Sequence, residues 1–194
     1  MPSILKLTLR RQRDNIVQGR LTSVDVDMKQ VRNGHEYSRR YLSGLRQAMP
    51  IARLDLIIDS PGGMAESAIG LVDALEELEI PVRVLIEGQC ASAATLVAFS
   101  HVVNHVDISP VGSVYVHEPK LASYRRQNGV WQVAYKLGNL TTAALFAGTY
   151  AARTGKPKRV CKEWLKTGAR FTAEQAVEAG FCERVVMRYQ WERE

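Results

Sequence analysis

The middle of the chain shows three kinds of hydrophobic pattern. Nearly continuous apolar runs from Leu54 to Ile58 and from Val82 to Ile86 predict strands that are buried on both faces of a parallel sheet. Between them, from Met64 to Leu78, apolar side chains recur every three or four residues, which predicts an amphipathic helix. The segment from Ala91 to Ser100 is almost wholly apolar and predicts a helix inside the domain. Strands that each lead into a helix indicate an α/β fold.

The residues before this region predict shorter elements. A weak alternation from Ile4 to Leu9 predicts a strand, and the apolar pieces at 16–17 and 21–26 predict extended backbone. Tyrosines and leucines at helical spacing predict a helix from His35 to Met49, which Pro50 ends.

The last part of the chain predicts a mixture of strands and helices. Residues 106–108 and 113–116 predict short strands, and the basic stretch from Lys120 to Val130 predicts a loop or an extended hairpin. From Trp131 to Arg153 we predict one long helix, weakened by two glycines. The remaining predictions are a short helix from Arg159 to Lys166, a helix from Thr172 to Gly180 with a capping box, and a final strand or arm from Phe181 to Met187.

Composition is typical of a soluble globular chain, with 46% hydrophobic and 24% charged residues, and 194 residues suit a single domain over 1–194. The net charge of +6 is spread out without interleaved aromatic residues, so we expect no nucleic-acid partner. No apolar run reaches the ~20 residues of a membrane helix, so we expect no membrane association. Three separated cysteines, none in a CxxC pair, argue against disulfides and metal binding and favour the cytoplasm.

Turns of small residues follow both central strands and carry the candidate chemistry. The first strand ends in Ser60-Pro61-Gly62-Gly63, the second leads into Gly88-Gln89-Cys90-Ala91-Ser92, and a later strand ends at His117. A serine, glycines and a histidine so placed could supply a nucleophile, an oxyanion hole and a base. Each also has a purely structural interpretation: an N-cap for Ser92, a ring bonded to local backbone for His117, and a tight turn for the glycines.

These motifs resemble the Clp protease proteolytic subunit and its phage-type relatives, which are serine peptidases of the ClpP/crotonase fold. The family carries S-P-G-G after a strand, G-Q-A-A-S at the nucleophile and an apolar-H-x-P strand end at the base. This chain has Ser60 to Gly63, Gly88 to Ser92 and Val116 to Pro119 in the same order. Residues 171–181 resemble the family's C-terminal F-x-x-A-x-E-A-x-x-x-G-L segment, so that the likeness covers roughly 54–184. It implies a central, mostly parallel sheet of repeated β-β-α or βα units with outer helices.

The resemblance implies a serine endopeptidase that acts on peptides or unfolded proteins without a cofactor or metal. Ser92 would attack the scissile carbonyl and His117 would carry the proton. The backbone N–H groups of Gly63 and Ala93 would hold the oxyanion. The resemblance also implies a homo-oligomeric ring with the segment from Trp131 to Arg153 at a subunit interface, and points to an ATPase unfoldase partner or a phage-type maturation role.

The third member of the catalytic triad departs from the family's pattern. The family places an acid, usually Asp, just before the F-x-x-A segment, but Lys166 to Arg170 contain none. Glu163 and Glu174 flank this gap and are candidate substitutes. The alternatives are a backbone carbonyl or a water that holds His117, and a site that is idle until assembly reshapes the segment.

Two other functions fit parts of the sequence. The missing acid motivates a non-catalytic ring subunit, a pseudoprotease in a mixed assembly. An acyl-CoA enzyme of the crotonase type would use the same oxyanion geometry, but it would not need Ser92 and His117 at their observed spacing.

Overall fold

The computed structural model describes residues 7–11, 16–21, 52–127, 130–137 and 140–193. Within these ranges the predicted α/β organisation is confirmed, because a seven-stranded, mostly parallel sheet carries helices on its outside. The helix predicted from His35 to Met49 lies outside the described residues. No helix within the described ranges is long and apolar enough to cross a bilayer.

The elements follow the chain in an order close to the predicted one. The strands are β1 (Leu7–Arg11), β2 (Ile16–Leu21), β3 (Arg53–Ser60), β4 (Val82–Ala91), β5 (Val103–Ile108), β6 (Ser113–Tyr115), β7 (Lys120–Gln127), β8 (Val130–Leu137) and β9 (Arg170–Thr172). The helices are α1 (Ala65–Glu76), α2 (Ala93–Ala98), α3 (Leu140–Thr154), α4 (Lys158–Thr167), α5 (Ala173–Ala179) and α6 (Arg188–Trp191).

Strand β4 organises the sheet. It pairs in parallel with β3 along one edge, and its other edge is shared by two strands in succession. Residues 82–86 of β4 pair with β5, and Gln89 to Ala91 pair with β6. Strand β2 continues the sheet in parallel beyond β3, whereas β1 and β9 are antiparallel. The carboxyl ends of β3, β4 and β6 therefore meet at one edge, which is where open α/β sheets bind ligands.

The two faces of the sheet bury different partners. Leu54, Leu56 and Ile58 of β3 lie in the large core formed with the helices, and all three are at most 1% exposed. Ile57 lies between them in sequence but belongs to a second cluster with Trp191 of α6, since successive strand residues point to opposite faces. Burial of one such aliphatic side chain stabilises the fold by about 1.5–3 kcal/mol, so both faces contribute to stability.

The predicted capping box of α5 is confirmed. The Thr172 hydroxyl accepts from the Gln175 backbone N–H at 3.3 Å, and the Gln175 side chain accepts from the Thr172 N–H at 3.0 Å. Gly180 ends this helix in the left-handed conformation, with φ 90°. The sequence pattern therefore fixes both ends of α5, the helix that directly follows the segment lacking the expected acid.

The prediction of one long helix from Trp131 to Arg153 is wrong. The first part of this segment is β8, which pairs with β7 in a separate antiparallel hairpin, and only the second part forms α3. The extended-hairpin alternative for Lys120 to Val130 is confirmed. Apolar residues occupy the odd positions from 131 to 137, and this period of two is that of a strand paired with a neighbour.

Candidate active site

Ser92 occupies a tight turn between β4 and α2. Its backbone has φ 53° and ψ −126°, and it is one of two non-glycine residues with positive φ in the described part of the chain. A side chain in this region of φ/ψ space is sterically strained, and such strain persists only where surrounding contacts hold it. A strained serine between a strand and a helix is the arrangement of a nucleophile elbow, which exposes the hydroxyl.

The hydroxyl of Ser92 does not act as a helix N-cap. Ser92 precedes the first residue of α2, but its side chain makes no capping hydrogen bond. Thr172, by contrast, caps α5 through its hydroxyl. The Ser92 hydroxyl is therefore not used to cap this helix.

The glycine turn after β3 lies directly against Ser92. Gly62 has φ 96°, and a Cβ on it would stand 2.7 Å from Ser92 Cβ and 2.4 Å from the Ala91 carbonyl oxygen. Its N–H donates to the hydroxyl of buried Ser60 at 3.1 Å. Only a glycine allows the two turns to approach this closely.

The two residues predicted to form the oxyanion hole lie on these apposed turns. The Ala93 nitrogen is 2.9 Å from the point where a Gly62 Cβ would stand. Gly63 follows Gly62, is exposed and has φ 154°. The fold thus brings the segment of Gly63 beside Ala93, although β3 and α2 are separated along the chain by a helix and a strand.

His117 reaches this place through the pairing of β4 with β6. Ala91 pairs with Tyr115, and the Ser92 N–H donates to the Tyr115 carbonyl at 3.0 Å. Ser92 directly follows Ala91 and His117 lies two residues after Tyr115, so both leave the ends of adjacent strands, which lie about 4.8 Å apart. No hydrogen bond joins the Ser92 hydroxyl to the His117 ring, both of which are described, and such bonds are often long before substrate binds.

The tautomer of His117 follows from its hydrogen bond. Nδ1 lies 2.7 Å from the Glu118 carbonyl oxygen, which can only accept, so Nδ1 carries the proton. In the neutral ring Nε2 is then an unprotonated acceptor, as a general base requires. The histidines near α2 are engaged elsewhere, since His101 contacts Glu76 at 3.1 Å and His105 contacts Asp107 at 2.9 Å.

The segment expected to supply an acid lies beside Val116 and His117 but provides a backbone group. The Ala169 carbonyl accepts from the Val116 N–H at 3.0 Å, one residue before His117. Arg170 pairs with Tyr115 and places its guanidinium 3.8 Å from the centre of the Tyr115 ring. This part of the site therefore presents a carbonyl, an aromatic ring and a cation.

The two candidate substitutes for the acid are exposed. The Glu174 carboxylate accepts from the Thr172 hydroxyl at 3.0 Å. Glu163 lies on α4, and its backbone carbonyl accepts from the Thr167 hydroxyl. Neither carboxylate is hydrogen-bonded to His117, all three residues being described, and their role as third member stays a prediction.

Cys90 lies two residues before Ser92 but is not a rival nucleophile. It is fully buried, and burial raises the pKa of its thiol well above the ordinary value, with neighbouring Cys182 adding to the rise. A thiol with a raised pKa has almost no thiolate at neutral pH and is chemically inert. Cys90 therefore acts as a small core residue, as the sequence indicates.

Two residues at the site were not singled out from the sequence. Gly62, rather than Gly63, makes the close approach to Ser92, and the doubled glycine was the available signal. Tyr115 holds the Ser92 N–H with its carbonyl and stacks its ring 5.0 Å from that of His117. Its role depends on the pairing register of β4 and β6, which the sequence does not state.

Comparisons with known proteins identify the family of this chain. The model of the Clp protease family matches residues 24–189. A curated relative, the ATP-dependent Clp protease proteolytic subunit of Chaetosphaeridium globosum, is 26% identical over 136 residues. This match covers 68% of the present chain and 65% of that relative, so the chain spans about two thirds of the relative's length.

Two solved structures share the fold. A serine-to-alanine mutant of the 1510-N membrane-bound stomatin-specific protease superposes with a TM-score of 0.64 at 18% identity, covering 91% of this chain and 81% of that one. A lysine-to-alanine mutant of the same protease, in complex with a substrate peptide, gives a TM-score of 0.59 at 21% identity and covers 78% and 68%. At these identities the likeness establishes the fold. Because the family model spans most of the sequence, including both candidate turns and His117, the chain belongs to the Clp protease family.

Proposed function

We propose that this chain is a serine endopeptidase that hydrolyses peptides or unfolded proteins. The observation that carries the proposal is the strained Ser92 turn, held against the glycine turn and beside the strand end that bears His117. This arrangement gathers a serine hydroxyl, a histidine with an unprotonated Nε2 and backbone N–H groups at one edge of the sheet. These are the groups that acyl transfer requires.

The proposed reaction uses the residues in two steps. His117 Nε2 takes the proton from the Ser92 hydroxyl as the oxygen attacks the peptide carbonyl. The N–H groups of Gly63 and Ala93 stabilise the negative charge on the carbonyl oxygen. His117 then protonates the leaving amine, and water releases the acyl group in the reverse sequence.

The Glu118 carbonyl is proposed to take the orienting part of the missing acid. It holds Nδ1–H and so fixes the tautomer of His117, with Nδ1 and the oxygen 2.7 Å apart. A neutral carbonyl stabilises the imidazolium less than a carboxylate does, so we expect slow turnover. Disabling the acid of a Ser-His-Asp site lowers turnover by about 10⁴-fold.

We further propose a homo-oligomeric ring in the cytoplasm, working on polypeptides with an ATPase unfoldase or in a phage-type maturation role. Family membership supports the ring, and the curated relative is named as part of an ATP-dependent protease. The second candidate function is a catalytically silent ring subunit. The absence of a carboxylate from 166–170 favours it.

A fluorophosphonate probe and a fluorogenic peptide would test the proposal together. We expect the wild-type protein to be labelled at Ser92 and to cleave the peptide slowly. Ser92→Ala should abolish both signals, and His117→Ala should lower both by about 10³-fold or more. His101→Ala, at an exposed histidine bound to Glu76, is the matched control and should change neither.

The two functions predict different results in this assay. A folded, assembled wild-type protein that neither reacts with the probe nor cleaves the peptide would favour the silent subunit. Hydrolysis that survives Ser92→Ala would exclude Ser92 as the nucleophile.

A further inference from the structure

The carbonyl group of Ser92 is held by more donors than an ordinary turn provides. It accepts from the Thr95 backbone N–H at 3.0 Å and also from the Thr95 hydroxyl. The Thr95 hydroxyl in turn lies 2.7 Å from the Tyr150 hydroxyl. Thr95 and Tyr150 are fully buried, so this chain of hydroxyls runs through the core below the turn.

The donors and acceptors in this series of hydrogen bonds follow from the one proton that each hydroxyl carries. A carbonyl oxygen can only accept, so the single hydroxyl proton of Thr95 points to Ser92. The Thr95 oxygen must then accept from Tyr150, which is the first donor. Burial raises the pKa of Tyr150 further above its ordinary value, so this hydroxyl keeps its proton at all working pH values.

Tyr150 is well fixed by its surroundings. It lies on α3 and packs its ring edge-on against Phe99, Phe146 and Phe181, with ring centres 5.6–6.4 Å apart. Three aromatic neighbours leave the ring little freedom to turn. The hydroxyl therefore reaches the nucleophile turn from a rigid support on a helix remote in sequence.

Clamping the Ser92 carbonyl also aims the Ala93 N–H. The carbonyl of residue 92 and the N–H of residue 93 belong to one planar trans peptide and point in opposite directions. At its other end Ser92 is fixed by the bond from its N–H to Tyr115. With both flanking peptides held, the 92–93 peptide cannot flip about ψ of Ser92, a rotation that would turn the Ala93 N–H away.

We infer that Thr95 and Tyr150 are positioning residues, whose hydroxyls clamp the Ser92 carbonyl and thereby direct the Ala93 N–H to the oxyanion. The catalytic role of this clamp rests on the proposed peptidase function. The clamp acts on the developing charge and not on substrate binding. Its loss should therefore lower kcat and leave KM unchanged.

The test removes each hydroxyl while keeping the shape of its side chain. In Tyr150→Phe and Thr95→Val we expect kcat and the rate of fluorophosphonate labelling to fall about 10-fold, with KM within twofold. Loss of a whole oxyanion donor typically costs 10²–10³-fold, and a loosened donor should cost less. Thr95→Ser keeps the hydroxyl and should retain at least half of the wild-type rate.

The matched control is Tyr189→Phe, which removes a hydroxyl from a tyrosine that is 57% exposed on α6. It should leave every rate unchanged. Equal rates in wild type, Tyr150→Phe and Thr95→Val would overturn the inference. So would a Thr95→Ser variant as slow as Thr95→Val, because side-chain shape would then matter and not the hydroxyl.

A measurement without turnover separates this inference from the proposed function. In crystal structures of Tyr150→Phe and Thr95→Val we expect the 92–93 peptide to rotate, so that ψ of Ser92 departs from −126°. That result supports the clamp even if the wild-type protein proves silent toward the probe. An unchanged Ser92 conformation in both variants would overturn the clamp whatever the activity is.

Discussion

The close approach of Gly62 to the Ser92 turn constrains the site at the residue scale. A Cβ on Gly62 would stand 2.7 Å from Ser92 Cβ and closer still to the Ala91 carbonyl oxygen. Position 62 must therefore be glycine for the two turns to pack together. The turn after β4 thereby determines a residue type in a segment far away in the sequence.

We predict that Gly62→Ala is inactive and destabilised. The added carbon would stand 2.4–2.9 Å from the Ala91 carbonyl oxygen, Ser92 Cβ and the Ala93 nitrogen, and two of these atoms are backbone and cannot yield cheaply. Overpacking of this kind costs typically 1–3 kcal/mol, and the positive φ adds strain. Urea denaturation and peptide hydrolysis would measure the two losses.

Gly148→Ala is the control for this substitution. Gly148 lies within α3, and nothing lies within 4 Å of the position where its Cβ would stand. Alanine should stabilise this helix by about 0.5–1 kcal/mol without changing activity. If Gly62→Ala behaved in the same way, the close approach of the two turns would be wrong.

The position of the absent acid gives a second prediction at this scale. Ala169 follows Gly168 and contacts the base strand through the bond from Val116 to its carbonyl. Ala169→Asp places a carboxylate at the position nearest the family's acid, and we expect turnover to rise at least about 10-fold because the imidazolium gains a counter-charge. Ser92→Ala in the same background should abolish the gain.

Parallel substitutions would reveal a different third member. Glu163→Ala and Glu174→Ala should leave activity unchanged if the Glu118 carbonyl orients His117. Abolished hydrolysis in either folded variant would identify that glutamate as the third member and contradict a carbonyl-held dyad.

Site residues could be predicted from the sequence only where they belong to motifs that follow one another at a recognisable spacing. The three motifs put Ser92, Gly63 and His117 in the expected order, and the fold brings their segments together. Thr95 and Tyr150 are separated by 55 positions and belong to helices with unremarkable patterns. Their contact depends on how α3 packs on α2, which no local pattern encodes.

At the scale of elements, the hairpin shows where reading the pattern failed. Trp131, Val133, Tyr135 and Leu137 alternate with other residues, and Asn128-Gly129 is a dipeptide favoured in two-residue hairpin turns. The count of apolar residues over the whole segment favoured one helix and concealed this alternation. The central strands and α1 were predictable because each carries its own unmistakable period over many residues.

The C-terminal helix α6 packs on the sheet through a large aromatic side chain. Trp191 is fully buried, and the Arg83 guanidinium lies 4.0 Å from the centre of its ring. Arg83 also donates to the Trp191 carbonyl at 3.0 Å and to the Asp55 carboxylate at 2.8 Å. The helix is too short to be stable alone, so its position depends on these contacts.

We predict that Trp191→Ala lowers the free energy of unfolding by about 3–5 kcal/mol, because it leaves a large cavity beside a buried ion pair. Tyr189→Ala, two residues earlier and exposed, should change stability by no more than about 0.5 kcal/mol. Urea denaturation of both variants tests this. Similar midpoints for the two would show that α6 does not contribute to the core.

At the scale of the whole molecule, the outer face of the helical layer favours assembly. Leu140 of α3 is 90% exposed and Leu145 is 41% exposed. Leu145 borders a groove of about 600 Å³ between α1, α2 and α3, whose lining includes Ile69 and Val72. The segment from Trp131 to Arg153 was expected at a subunit interface. Its first part is β8, so we now expect α3 alone to form that interface.

We predict that the protein is oligomeric at micromolar concentration by multi-angle light scattering. Leu145→Glu should shift it to smaller species, because a charge would be buried at the contact. Val111→Glu, at a turn residue that is 82% exposed, should leave the mass unchanged. A stable wild-type monomer would contradict the proposed ring.

The positive φ of Ser92 also determines which inactive variant should be used to trap a bound peptide. Glycine at position 92 would remove the hydroxyl and release the backbone strain together, since glycine populates positive φ freely. Such a protein would be more stable than the alanine variant, and the bonds that hold the Ser92 N–H and carbonyl would still direct the Ala93 N–H, because glycine keeps both backbone groups. Ser92→Ala keeps the Cβ, and with it the strained conformation imposed by the surrounding bonds. A peptide complex of either variant would therefore preserve the conformation of the turn, and the glycine variant would hold it in the more stable protein.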